Sequence, residues 1–249
     1  MRCRWCGQVY PDNSCLNCGG SRRRAIRVGS SRTAEELQAA FPQVPVIVSD
    51  SINGVKTAVG DSPSIVVATF GAEPQADGGY AAAVFLDGDA QLAGAQLRSA
   101  EQLVRRWFNA LSLVRSGTDG GVVAVTAEPG HRAVQALVRN DVDGWSQREL
   151  ADREVTGLPP TTRSAAISGS PPAVSRFVES CELEPTWRVL GPSPIATAGS
   201  KPGAVRVVVL VPTTDGVRLT RTLRAALIAG VDGSNSGRVT VRVDPPDVL

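Results

Sequence analysis

Histidine and lysine are almost missing from these 249 residues, and aromatic side chains make up only 4%. The one histidine is His131, so a multi-histidine metal site within one chain is excluded. Any Ser-His-Asp or Cys-His catalyst would have to use it. Lysine occurs only at Lys56 and Lys201. Neither follows a glycine, so the phosphate loop G-x-x-x-x-G-K-[ST] is absent, and with it a self-sufficient P-loop ATPase. No apolar run approaches the roughly 20 residues that cross a bilayer. The N-terminal MRCRWCG carries no apolar signal segment, so no membrane partner and a cytoplasmic setting are expected.

What remains is ordinary for a soluble globular protein: 42% hydrophobic, 20% charged, net charge +2. The bases are nearly all arginine, and glycine numbers 25 and proline 17. That combination reads as a coding bias and not as an arginine-rich binding protein.

The first 27 residues stand apart. They hold four of the five cysteines and six arginines against one acid, Asp12. Cys3-x2-Cys6 and Cys15-x2-Cys18 are each backed by a glycine, Gly7 and Gly19, where a tight knuckle needs unusual φ. The donor set suits zinc, and a reducing cytosol disfavours disulfides. A disulfide framework and chance clustering are the other readings. Four thiolates leave no open coordination position, so a zinc here is structural. Arg2, Arg4, Arg22, Arg23, Arg24 and Arg27, with Trp5 and Tyr10, would give this block charge and stacking surface for nucleic acid. The alternative is a solvated basic face. Cys181, alone, reads as a buried apolar residue.

From residue 28 onward the pattern is α/β. A helix capped by Thr33 is expected to Ala40, with strands over 44–48, 64–69, 81–86 and 121–126. Helices are expected over 96–115 and 132–138. Strands alternating with helices predict a doubly wound parallel sheet over residues 28–154. A small α/β domain follows over 155–249, opening at the turn Gly157-Leu158-Pro159-Pro160. Its expected strands cover 162–168, 205–211 and 238–243, its helices 172–181 and 215–229, and residues 191–203 read as a loop.

Other candidates are weaker. Asp87-Gly88-Asp89 ends a strand, where Mg²⁺ is one option and a structural loop the other. Asp244-Pro245 reads as a strand-ending turn, and His131 as an exposed cap residue. Arg105, Arg106 and Arg115 are expected along one long helix. Arg218, Arg221 and Arg224 have i, i+3 spacing, and with Arg206 they are phosphate-contact candidates or a solvated face.

The order of these pieces resembles the C-terminal part of the PriA family of replication restart proteins, in its degenerate actinobacterial form. The residues that carry the resemblance begin with Val28-Gly29-Ser30-Ser31-Arg32-Thr33-Ala34-Glu35-Glu36-Leu37 after the cysteine block. They continue with Val67-Ala68-Thr69, Leu86-Asp87-Gly88-Asp89, Leu92 and Gln96-x-Arg98-x-Ala100-Glu101. Glu149-Leu150-x-x-Arg153-Glu154, Gly157-Leu158-Pro159-Pro160, Gly191-Pro192-Ser193-Pro194 and Val241-Arg242-Val243-Asp244-Pro245 complete it. The resemblance implies a zinc-knuckle block, a parallel-sheet domain like a second helicase lobe, and a small C-terminal α/β domain. The family's zinc segment has four cysteine pairs for two ions, interleaved between the metals. Here there are two pairs. Either an upstream part is missing or both pairs close around one zinc.

The family's motor elements are altered. Gly-Thr-Glu is replaced by Gly29-Ser30-Ser31-Arg32. The Gly-Arg-Ala-Gly-Arg motif gives way to Trp107-Phe108-Asn109-Ala110-Leu111-Ser112-Leu113-Val114-Arg115. Losing an arginine that stabilises a transferring phosphoryl group costs roughly 10³–10⁵ in rate. The resemblance therefore implies a non-enzymatic restart protein. It would bind single-stranded and forked DNA and work with primosome proteins, a replicative helicase loader and single-stranded-DNA-binding protein. The competing readings are a zinc-ribbon protein adaptor without DNA affinity and an active ATP-dependent helicase, which would need an ATPase lobe this sequence lacks.

Overall fold

A computed structural model describes residues 29–94, 96–195, 203–231 and 238–246. These fall into two compact units. One holds residues 29–94 and Ser99–Trp145. The other holds residues 96–98, 146–195, 203–231 and 238–246.

The first unit opens with α1 (Ser30–Ala40), followed by β1 (Val46–Ser49), β2 (Ala58–Val59), β3 (Ile65–Ala68), β4 (Gln75–Ala76) and β5 (Ala82–Phe85). Then come α2 (Gly88–Leu92), α3 (Ser99–Leu111), β6 (Val122–Val125), α4 (Arg132–Arg139) and the start of α5 (Val142–Thr156). Its core gathers Phe85, Leu103, Val104, Trp107, Ala133, Val134, Leu137 and Trp145. α3 and α4 reach it through their 3/4-spaced apolar faces.

The strands pair in parallel, as the alternation of strands and helices implied. They do not form the single doubly wound sheet expected over 28–154. Among the described residues, β1 pairs β3, β2 pairs β4 and β5 pairs β6 as separate two-stranded ladders. The apolar runs misled here because a strand buried on both faces and one bare on one face can both be continuously apolar. In β5–β6 the inward residues are Ala83, Phe85, Val123 and Val125, whereas Val84 and Val122 are 60% and 62% exposed.

Local boundaries shift for tertiary reasons. α1 starts at Ser30 with Gly29 as N-cap, not at Thr33. The Ser30 hydroxyl donates to the carboxylate of Asp50, twenty residues away, so the anchor is not local. α3 ends at Leu111, short of the expected 115. The chain leaves the helix there because Tyr80 accepts the Arg115 N–H at 3.0 Å and donates its own to Leu113 at 2.9 Å. α5 carries no apolar stripe, which is why its sequence gives no helical signal. Trp145 and Arg153 are its buried side chains, and Asp141 caps its first turn by accepting from the Gly144 N–H at 2.8 Å.

The second unit carries β7 (Thr162–Gly169), α6 (Pro171–Ser180), β8 (Arg188–Pro194), β9 (Val205–Pro212), α7 (Gly216–Val231) and β10 (Thr240–Val243). The sheet is antiparallel, in the order β10-β7-β9-β8. Ala165 and Ile167 of β7 and Val207, Val209 and Val211 of β9 face one way, into a core with Val174 and Phe177 of α6 and Leu219, Leu223 and Ala226 of α7. Val208 and Leu210 point to the other face, packing with Leu158 and Leu190. The stretch read as a loop from residue 191 is strand as far as Pro194. Its ladder slips between Leu190 and Ser193, a bulge on an edge strand that accommodates Gly191-Pro192. Gly191 sits at φ +104, and a Cβ there would stand 2.7 Å from the Arg206 carbonyl.

Candidate nucleic-acid interface

The cysteine ligands Cys3, Cys6, Cys15 and Cys18 and the flap arginines Arg4, Arg22, Arg23 and Arg24 lie outside the described residues. Among the described residues, no three His, Cys, Asp or Glu side chains cluster so as to hold a metal ion. No described helix is long and apolar enough to cross a membrane.

The arginine stripe is built by α7. Leu219, Leu223 and Ala226 bury one side of this helix, which leaves Arg218, Arg221 and Arg224 on its exposed side. The three are not equivalent. Arg218 Nη2 is ion-paired with Glu184, so its charge is partly spent within the fold. Arg221 and Arg224 are exposed and have no ion-pair partner among the described residues. On α3, Arg105 and Arg106 are exposed as well. Arg115 is not on that helix. Its Nε donates to the carbonyls of Gly78 and Gly79 at 3.0 and 3.1 Å, a structural role that the sequence spacing concealed.

The Asp87-Gly88-Asp89 loop is sewn to the end of β6. The Asp87 N–H donates to Thr126 Oγ1 at 3.0 Å, and Asp89 Oδ1 accepts from the Glu128 N–H at 2.8 Å. Asp89 thus spends a lone pair on backbone. Gly88 is a packing position, since a Cβ would lie 2.7 Å from the Ala127 Cβ. Trp107, at the start of the stretch that stands where the arginine motif would be, is fully buried against Phe85, with ring centroids 6.3 Å apart and planes 11° off parallel. His131 caps α4, its Nδ1 accepting from the Ala133 N–H at 3.1 Å. Cys181 is buried, and desolvation pushes its thiol up.

Two polar anchors escaped the sequence reading as chemistry. Arg163 Nε donates to Asp244 Oδ2 at 2.6 Å, while Oδ1 accepts from the Ser164 N–H at 2.8 Å. Burial raises the Asp244 carboxyl, but these partners outweigh it and hold the group below its ordinary range. Asp244 sits at φ 45 in the turn that ends β10. The other anchor is Asp50. It accepts from Ser30 Oγ and from the Asn53 and Ile52 N–H groups, which lowers its carboxyl from 3.8 to about 2. The Arg163–Asp244 and Ser30–Asp50 pairings do not show in local sequence, because their partners come from distant elements, whereas Ile52 and Asn53 are local to Asp50.

Residues 154–246 match the family model of the primosomal protein N C-terminal domain. Over 250 residues the chain is 39% identical to a "Probable replication restart protein PriA" of Mycobacterium leprae, covering 98% of this chain and 38% of the relative. The protein of the same name from Mycobacterium tuberculosis (strain CDC 1551 / Oshkosh) is 39% identical over 259 residues, covering 98% and 39%. The "Replication restart protein PriA" of Thermotoga maritima is 25% identical over 262 residues, covering 99% and 34%. The chain therefore spans well under half the length of these relatives. Over almost all of its own length it is similar to PriA-type replication restart proteins, and residues 154–246 carry the match to the primosomal protein N C-terminal domain.

Proposed function

We propose that this chain acts in replication restart by docking on abandoned forks, without a motor of its own. It would help reload the replicative helicase through primosome proteins, a helicase loader and single-stranded-DNA-binding protein, in the cytoplasm. The observation that carries this reading is the pair Arg221 and Arg224, exposed and unpaired among the described residues on a helix of the PriA C-terminal domain. Cations left free on a rigid helix suit a polyanion, because each phosphate neutralised releases condensed counterions.

Zinc fits the donor set of Cys3, Cys6, Cys15 and Cys18, two C-x2-C pairs of the kind that close around a tetrahedral structural ion. Bound there, it would fix the basic segment bearing Arg4, Arg22, Arg23 and Arg24. The absence of catalysis rests on the missing phosphate loop and on the largely apolar stretch from Trp107 to Val114, which replaces the arginine motif that the family resemblance leads one to expect.

Anisotropy with a labelled three-way fork in moderate salt tests the reading. Binding that R221E/R224E weakens at least fivefold, with a shallower salt dependence, supports it. A wild-type chain that ignores the fork replaces it with the zinc-ribbon adaptor. ATP turnover by the purified chain that rises with fork DNA would instead restore the helicase reading.

A further inference from the structure

The C-terminal sheet has two faces, and α6 and α7 cover only one. Val239 and Val241 pack into that helical core, so the alternation of β10 sends Thr240 and Arg242 to the other face. Register carries the row across the sheet. Thr240 lies opposite Ser168 of β7, Ser168 opposite Arg206 of β9, and Arg206 opposite Ser193 of β8. Arg242 lies opposite Ala166. This face is covered over Ala166, Ser164, Val208 and Leu210, all buried, with Leu158 and Leu190 packed on the last two. In the row beyond, Ser193 and Thr240 are exposed, as is Arg238 two residues before Thr240; Arg242, on the edge strand beside the buried Ala166, is exposed as well. Arg238 and Arg242 have no ion-pair partner among the described residues, while Arg206 is engaged within the chain.

We propose that this helix-free end of the sheet is a second nucleic-acid surface, which grips the phosphate backbone of a duplex arm through Arg238 and Arg242. The inference rests on the DNA-docking reading and assigns to it a face that the α7 stripe does not include. The chemistry of the row selects the duplex. Arginine and hydroxyl groups are backbone-contacting side chains, and they carry no base readout here. None of Arg238, Thr240, Arg242, Ser168, Arg206 and Ser193 is aromatic, and single strands are held largely by stacking on aromatic rings. A purely electrostatic strip favours the ligand with the denser charge. A duplex presents one phosphate per about 1.7 Å of axis, twice the density of one strand. Four strands spaced about 4.8 Å apart make the strip about 14 Å across, the scale of a groove with its flanking phosphates.

The test compares the full chain with R238E/R242E on a labelled duplex of about 30 base pairs and on oligo(dT) of equal length, across a salt series. Duplex affinity should fall at least tenfold and the log–log salt slope should shrink by about 2, one for each phosphate that is no longer neutralised. Oligo(dT) affinity should stay within twofold, and R238K/R242K should bind like the parent. If the reversal perturbs the circular dichroism spectrum, R238Q/R242Q is read instead, with the same signs. Unchanged duplex affinity overturns the inference, as does an equal loss on oligo(dT). Where the parent binds forks and only R221E/R224E weakens it, this face fails while the docking function stands. A parent that binds neither oligonucleotide removes both.

Discussion

Arg153 Nε and Nη2 both donate to Oε1 of Glu149, one helical turn earlier, at 2.9 and 2.7 Å. The Arg153 side chain is 4% exposed and that of Glu149 31%, so this is a partly buried pair and not a surface one. Nη1 goes on to the Pro159 carbonyl at 2.9 Å and Nη2 to the Leu97 carbonyl at 3.1 Å. One guanidinium thus fixes the end of α5, the Gly157–Pro160 turn that opens the C-terminal domain, and the segment before α3.

Removing it should be costly. Arg153→Ala leaves two carbonyls and a half-buried carboxylate without their donor, and unpairing a buried ion pair costs about 3–5 kcal/mol. We expect a loss near the lower bound, since Glu149 keeps access to water. Glu149→Gln should cost less than half as much, because Arg153 retains its two carbonyl acceptors. Urea unfolding midpoints for the two variants give the comparison. Equal costs would mean that the ion pair, and not the carbonyl latch, holds the turn.

Trp107 makes a sharper prediction. Its indole N–H is buried with no acceptor among the described residues, yet its ring is fully enclosed among Phe85, Leu103 and Val104. Trp107→Ala should destabilise by about 3–5 kcal/mol through the cavity it leaves. Trp107→Phe loses packing area but also removes a buried donor whose burial itself costs about 1–3 kcal/mol, so its net effect should be under about 1.5 kcal/mol. Chemical denaturation of both variants checks this. A Trp107→Phe loss as large as that of the alanine variant would mean that the N–H has a partner.

Gly88 is the strictest position in the Asp87–Asp89 loop. A methyl there would meet the Ala127 Cβ at 2.7 Å, the Thr126 carbonyl at 3.0 Å and the Trp107 ring at 3.3 Å. Two of these three neighbours cannot swing away, so Gly88→Ala should cost about 1–3 kcal/mol as an overpacked site. Adding Mg²⁺ should not change the stability of the parent. A magnesium-dependent rise in melting temperature would reopen the metal reading of Asp87 and Asp89.

How much of this could be read from sequence depends on what each feature uses as its signal. α4, α6 and α7 announce themselves through apolar spacing, and β9 through its valine run. The parallel sense of β5–β6 follows from strand–helix alternation. α5 is invisible because its helix is held by one arginine and one tryptophan instead of a stripe. The split of the parallel strands into pairs is invisible because apolar content does not say which face is covered. In the candidate interface, Arg218, Arg221 and Arg224 were legible from i, i+3 spacing. The pairing of Arg218 with Glu184 was not, since the acid comes from another segment. Arg238 and Arg242 were legible in principle. The run Arg238-Val239-Thr240-Val241-Arg242 alternates strictly, and that period alone puts both arginines on the face away from the valines.

Asp50 supplies the pH dependence. The Ser30 hydroxyl and the Asn53 and Ile52 N–H groups favour its ionised form and hold it at about 2 against an ordinary 3.8. A lowered folded-state value means that the unfolded chain binds the proton more readily. The stabilisation is therefore complete above pH 3.8 and is lost as pH falls toward 2. Asp244, held low by Arg163 and Ser164, acts in the same sense. Asp50→Asn should be less stable than the parent at neutral pH, because the amide cannot accept from Ser30 and both N–H groups with the strength of a charge. Its urea midpoint should also fall less steeply than the parent's on acidification through that window, so the two curves converge near pH 2. Parallel curves would show that the α1–β1 anchor does not titrate. Convergence would place the acid sensitivity of this unit at the junction that sets where α1 begins.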